Sequence, residues 1–377
     1  MTDTPFTLDV APGFEAVADV FRANFEDGGE LGAQFCVLKN GQPLVDLKGG
    51  WADRAKTKPV DEDTLFGVFS SGKAIAALVI AWLADQDRLG YNQLVCSLWP
   101  EFTGHGKEAL SVAQVLSHQT GLSGITNPEW TTADWFDWDK TCAELAAQEP
   151  IFPPASASGY SPVTYGFLVG EIARRADKHM RSLGQLLRDE FCAPHDIDVW
   201  LGLPEEHHAR CADMQKPRRL TEFGDINAAT KAAFFEKWSS AVGNITEWRK
   251  AQMAGSNCHA TAKGLASLMQ VYNNGRLNGQ FLLAEDMVAA AAEPRISGQD
   301  QVLPFEVTFA AGVMHSAPNF YYGPNPETLG HSGWGGSCVF ADKSTGLSGA
   351  YAMNRQDNSL MGDPRSVRLI DAVYGCL

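Results

Sequence analysis

Strand-like sequence at both ends of the chain, separated by a long helical stretch, constrains this fold more than any single motif. Near the start, GAQFCVLKNGQPLVDLKGGWAD sets two β-prone runs on either side of Asn40-Gly41, the strongest short hairpin signal. Near the end, VTFAAGVMHS, ETLGHSGWGG, SCVFADKSTG and LSGAYAMN read as successive short strands. From about 70 to 290 the texture is rich in Ala and Leu, with helical patterns at 71–88, 112–117, 140–147, 164–176, 181–191 and 262–274. An amphipathic helix over 13–27 precedes the hairpin, and another over about 364–375 closes the chain. These patterns predict an α/β plus all-α fold: an antiparallel sheet flanked by helices, built from both termini, with a large helical insert. The expected division is an α/β domain of residues 1–70 and 290–377 and a mainly helical domain of 71–289, with the functional site in the cleft between them.

Bulk properties narrow the function. The 377 residues, 45% hydrophobic, can bury a large core. A formal net charge of −15, with no long Lys/Arg run, argues against nucleic acid as a partner, because phosphate binding wants a basic face. No apolar run is long enough for a membrane span, and MTDTPFTLDVAPGFEAV lacks the basic and apolar regions of an export signal, so we expect a cytoplasmic protein. The eight Cys are scattered without CxxC spacing; a zinc site is not expected, and they read as small buried apolar residues.

Three segments carry chemistry. In FGVFSSGKAIAALVIAWLADQ, Ser70 and Lys73 have S-x-x-K spacing, which puts hydroxyl and amine on one face of a helix that begins nearby. A serine needs a base, and a lysine is one only when its pKa is lowered by desolvation; the apolar run after Lys73 suits that. The plain alternative is an N-cap serine and a solvated lysine. In FPPASASGYSPVTYGFLVGEIARRADK, Tyr160 precedes the Ser161-Pro162 turn and a helix; it reads either as a core tyrosine or as a second proton handler beside Lys73, made more acidic by a nearby ammonium. In ETLGHSGWGGSCVFAD, small residues let a substrate approach the strand, and the N–H of Trp334 is a candidate donor to it; a Gly-rich strand crossing with a structural Trp is the alternative.

In this order the three segments resemble one superfamily: serine penicillin-binding proteins, class C β-lactamases and family VIII carboxylesterases. VAQVLSHQTGLSG, SNCHATAKGLASLMQVYNNGRLNGQFLL, YSPVTYGFLVGEI and AYAMN are similar to its supporting segments, so the resemblance spans about residues 15–375. It implies that Ser70 is the acylated nucleophile, that Lys73 takes or shares its proton, and that Tyr160 shuttles protons to the leaving group. It also implies that His331-Ser332-Gly333 replaces the Lys-Thr-Gly triplet and that the N–H groups of Ser70 and Trp334 form the oxyanion hole. No metal or organic cofactor is implied.

Two departures discriminate within that superfamily. Pro162 stands where β-lactamases carry a drug-binding Asn, and it has no N–H to donate. His331 replaces a lysine and, being only partly charged near neutral pH, is a weaker anchor for a substrate carboxylate. With Trp334 as an apolar wall, these changes point to a serine carboxylesterase acting on short-to-medium acyl esters. A β-lactamase or D,D-peptidase, an acyltransferase of the same mechanism, and a homologue that binds without turnover are the alternatives. The proposed substrate-binding set is Ser332, Gly333, Trp334, Pro162 and Trp135. Trp130, Trp135 and Trp138 are read as lining an acyl pocket; Phe234, Phe235 and Trp238 are read as packing residues.

Overall fold

Asn40 and Gly41 both adopt positive φ, 52° and 80°, as a two-residue hairpin turn requires. The computed structural model describes residues 4–219, 221–235 and 244–377; Trp238 lies outside them. In chain order the strands are β1 (Phe6–Val10), β2 (Gly32–Lys39), β3 (Gln42–Gly50), β4 (Phe66–Phe69), β5 (Val199–Leu201), β6 (Cys258–Ala260), β7 (Arg276–Leu277), β8 (Gln280–Phe281), β9 (Ile296–Gln299), β10 (Glu306–Phe309), β11 (Met314–His315), β12 (Leu329–Ser332), β13 (Cys338–Asp342) and β14 (Leu347–Met353). One nine-stranded sheet has the order β1-β3-β2-β14-β13-β12-β11-β10-β9. Each neighbouring pair is antiparallel, so the expected sheet from both ends of the chain is present.

The seam between the two ends is the β2–β14 pair, in register from Ala33↔Met353 to Lys39↔Leu347. Both strands are buried almost throughout, because helices cover both faces of the sheet. Helices Glu15–Ala23 and Pro364–Gly375 pack together, and helix Ala262–Met269 packs on β14 and β2.

The insert is not purely helical. Its strands β5 and β6 join β4, which lies just before the insert, in a separate three-stranded sheet, and β7 and β8 form a hairpin. Helices at Gly72–Asp85, Val112–Leu116, Trp138–Ala147 and Thr164–Ala176 match the sequence patterns closely, whereas Ala228–Phe234 and Glu285–Ala292 were not anticipated. Helix Gly72–Asp85 is buried from Gly72 to Ala84. Its first residue must be Gly, since a Cβ there would lie 2.4 Å from the Cβ of Cys258 on β6. That contact seats the start of the helix against the small sheet.

Candidate active site

The β4-to-helix junction presents one serine and hides the other. Phe69 ends β4 with φ 47°, a conformation that bulky residues rarely adopt and that marks local strain. The sharp turn brings Ser70 to a cleft surface, and the Ser70 carbonyl accepts the N–H of Lys73 at 3.0 Å. Ser71 is fully buried, its hydroxyl 3.0 Å from that of Ser337. Ser70 is therefore the accessible hydroxyl of the pair.

Lys73 follows one turn later with no solvent exposure. Its Nζ lies 3.0 Å from Ser70 Oγ and donates to the Pro162 carbonyl at 2.9 Å and to the Gly255 carbonyl at 2.7 Å. Burial drives the pKa of this amine well below the usual lysine range. Keeping an ammonium dry costs several kcal/mol, whereas each Ile, Leu or Val buried in the same helix contributes only about 1.5–3 kcal/mol. A neutral amine removes that cost. It has two protons for the two carbonyls and a lone pair for the proton of Ser70. Gly255 makes the approach possible: a Cβ there would sit 2.9 Å from Lys73 Nζ.

Tyr160 completes the group. Its buried ring lies 5.0 Å from Lys73 Nζ, and the phenol lines the cleft with Ser70. Burial raises the phenol pKa and outweighs the hydrogen bond to Ser70 that lowers it. The expectation of an acidified phenol is thus corrected: burial raises its pKa, and the phenol stays protonated. His118, from the SHQTG segment, accepts the Ser161 N–H on Nδ1 at 3.1 Å and braces the Tyr160 turn. Burial holds its imidazole neutral, well below the usual histidine range.

β12 forms the opposite wall. Ser332 lines the cleft, with its hydroxyl 3.1 Å from the Tyr322 phenol. Gly333 has no side chain for a different reason from the one expected: a Cβ would lie 2.2 Å from the Val68 carbonyl and from Ser337 Oγ, so the glycine admits β4 rather than substrate. His331 requires a larger correction. It is fully buried, does not line the cleft and turns Nδ1 back onto the Ser332 carbonyl at 2.8 Å. Burial pushes its pKa down to about 3. A neutral imidazole buried beside Tyr160, the two ring centres 6.0 Å apart, cannot anchor a substrate carboxylate.

Trp334 does reach the cleft. The turn after it is held by Arg365, whose guanidinium donates to the Gly335 carbonyl at 3.0 Å and to Asp363 at 2.7 Å. Gly335 and Gly336 take φ 84° and 129°, and a Cβ on Gly336 would meet Asp363 at 2.4 Å. Neither the Ser70 nor the Trp334 N–H is engaged by a turn or loop carbonyl among the described residues.

The cleft, about 240 Å³, is lined by Phe69, Ser70, Tyr160, Pro162, Val163 and Ser256, with Phe234, Leu303, Ser332, Trp334 and Leu360. None of these side chains carries a formal charge at neutral pH. Phe234 was read as packing, yet it walls the cleft, its ring 5.9 Å from that of Trp334. Trp135 was read as lining, yet it is buried beside Trp130 and Phe167, at 5.7 and 5.8 Å between ring centres. Trp130 and Trp138 are likewise absent from the cleft surface; Trp138 bonds Glu171 instead. Gly255, Leu303 and Leu360 carry no motif and nothing local in the sequence marks them, while Ser256 opens the SNCHATAKG segment without being singled out there.

The beta-lactamase family model matches residues 17–372. The chain belongs to the beta-lactamase family. Among its relatives is the esterase/beta-lactamase LipL of Mycobacterium tuberculosis, 31% identical over 91% of this chain and 82% of that protein. A penicillin-binding protein homologue from Caulobacter crescentus superposes with a TM-score of 0.95 at 52% identity, covering 99% of this chain and 100% of its own. A family VIII carboxylesterase gives 0.93 at 38% identity with the same coverage. In this member of the family, no helix among the described residues is long and apolar enough to cross a membrane.

Proposed function

We propose that the protein is a serine carboxylesterase that hydrolyses short-to-medium acyl esters through an acyl-enzyme on Ser70. The observation that carries this reading is the 3.0 Å contact between Ser70 Oγ and a fully buried Lys73 Nζ at the wall of an uncharged cleft. Lys73, neutral, takes the Ser70 proton as Oγ bonds to the ester carbonyl carbon. The N–H groups of Ser70 and Trp334 receive the developing oxyanion. The bond to the alkoxy oxygen then breaks, Tyr160 gives that oxygen its proton, and Lys73 returns one to Tyr160. Water repeats the sequence on the acyl-enzyme: Lys73 accepts its proton, its oxygen joins the acyl carbon, and Ser70 leaves protonated.

The substrate class follows from the lining. A β-lactam or a peptidoglycan stem brings a carboxylate, and no cationic side chain faces the cleft among the described residues. Its walls favour a neutral acyl chain, and its size favours a short one. LipL, named for both activities, keeps β-lactam turnover as the second reading. We read the cleft as lying between an α/β domain of 1–70 and 290–377, which supplies Ser70, Leu303, Ser332 and Trp334, and a domain of 71–289, which supplies Tyr160, Val163 and Phe234. All eight cysteines are free thiols, which suits a reducing compartment and supports a cytoplasmic enzyme.

Turnover of a chromogenic butyrate ester and of nitrocefin, side by side, tests the proposal. The expected result is ester hydrolysis abolished by Ser70→Ala, with nitrocefin turned over far more slowly. Nitrocefin turnover matching that of the ester would favour the second reading.

A further inference from the structure

Tyr160 is held in place by a carboxylate that belongs to none of the motifs. Asp300 follows β9 and is 3% exposed. Its Oδ1 accepts three backbone N–H groups: Tyr160 at 3.0 Å, Val302 at 2.8 Å and Leu303 at 2.9 Å. A single oxygen therefore ties the backbone of the proton-handling tyrosine to the turn that carries Leu303, a wall of the cleft. The turn is fastened again on both sides. The Gln301 N–H donates to the Ser158 carbonyl at 2.8 Å, and Asn227, which caps the helix bearing Phe234, donates its amide to the Gln301 carbonyl at 2.8 Å.

Burial alone disfavours a carboxylate here and raises its pKa, while the backbone donors pull it back. A residue kept buried against that tendency and spent on three main-chain N–H groups serves geometry. The phenol must stay within reach of both Ser70 and Lys73, and displacements of about 1 Å are enough to impair a proton transfer of this kind. Tyr160 precedes Pro162, whose carbonyl receives Lys73 Nζ, so the same anchor steadies a second contact of the site.

We propose that Asp300 is a positioning residue for Tyr160, its Oδ1 fixing the Tyr160 backbone so that the phenol meets Ser70 and Lys73. The inference rests on the esterase reading for its role in turnover. It requires the acceptor atom in its place and not the negative charge.

Asp300→Asn keeps the Oδ1 acceptor without the charge, and Asp300→Glu keeps the charge but moves the acceptor by one methylene. The measurements are kcat and KM on a butyrate ester, the rate of Ser70 labelling by a p-nitrophenyl phosphonate, and the melting temperature. Asp300→Asn is expected to stay close to wild type in all of them. Asp300→Glu is expected to lose about 10²-fold in kcat and in labelling rate at nearly unchanged KM. Asp300→Asn losing kcat at a wild-type melting temperature would overturn the inference, and if Asp300→Glu does not fold, Asp300→Ala, which removes the acceptor, takes its place with the same expected losses. Asp300→Glu folded with wild-type kcat, or with a loss confined to KM, would also overturn it. The labelling ratio reads Asp300 without any ester being turned over, so absent ester hydrolysis with labelling retained counts against the esterase reading alone.

Discussion

Lys73 Nζ and Ser70 Oγ lie 3.0 Å apart, and the amine has no exposure to solvent. Every other group in the site is arranged around that pair: two carbonyls take the spare protons of the amine, a phenol waits on one side, and an uncharged cleft opens on the other.

Removing the amine is therefore expected to stop acylation while leaving the fold intact. Lys73→Ala should lower kcat/KM on a butyrate ester by on the order of 10²–10⁴-fold, the range for a general base. The truncation also leaves a cavity and takes the donor from the Pro162 and Gly255 carbonyls, so the melting temperature should fall while the variant stays folded at the assay temperature. Steady-state kinetics with a thermal melt checks both halves.

Gly255→Ala separates placement from chemistry. φ is not positive at Gly255, but an alanine Cβ would sit 2.9 Å from Nζ and 3.2 Å from Cε of Lys73, and 3.2 Å from the Pro162 carbonyl oxygen. The flexible end of the lysine can give way, which spares stability and moves the base off Ser70. A fall of about 10²-fold in kcat is expected. Unchanged kcat would mean that the amine need not stand where it does.

The buried imidazole of His331 makes a stability prediction with a definite sign. Folded His331 stays neutral down to about 3, whereas an unfolded histidine binds a proton near 6.5. Between those values the unfolded chain holds more protons, so stability falls as the pH is lowered, by about 1.4 kcal/mol per pH unit for one excluded proton. His118 adds to the same trend. Urea denaturation from pH 7 to pH 4 should show a shallower dependence for His331→Gln than for wild type; parallel curves would contradict the assignment.

Chain-length preference should answer to Phe234. Its ring walls the cleft against Trp334, and Phe223 packs against it with ring centres 4.8 Å apart. Phe234→Ala should raise kcat/KM for an octanoate ester relative to butyrate by about 10-fold, the scale on which a few methylenes are discriminated. A chain-length series on the two proteins checks it.

What the sequence revealed about the site follows from how local each signal is. Ser70 and Lys73 are one helical turn apart, so their meeting is legible from spacing and the apolar run. Tyr160 and Trp334 were found through segments whose order is recognisable. Gly255 and Asp300 could not be read, since each acts by a backbone contact made across the fold. His331 was misjudged because its residue type, and not its burial, was visible. Trp135 and Phe234 exchanged roles for a related reason: aromatic composition does not say which face of a helix meets a cavity. In the fold, the hairpin at Asn40-Gly41 and the strands beyond 305 were legible from alternation and turns. The three-stranded sheet of β4, β5 and β6 was not, because its strands are short and two of them lie within helical sequence.

The most direct test of a desolvated lysine activating Ser70 is the pH dependence of labelling by a p-nitrophenyl phosphonate, with the adduct located by tandem mass spectrometry. Wild type should be modified on Ser70 and not Ser71, at a rate that rises with pH to a plateau well below the usual lysine range, and Lys73→Ala should lose both the rate and that limb. An adduct on another residue, or a Lys73→Ala profile that overlays wild type, would contradict the account.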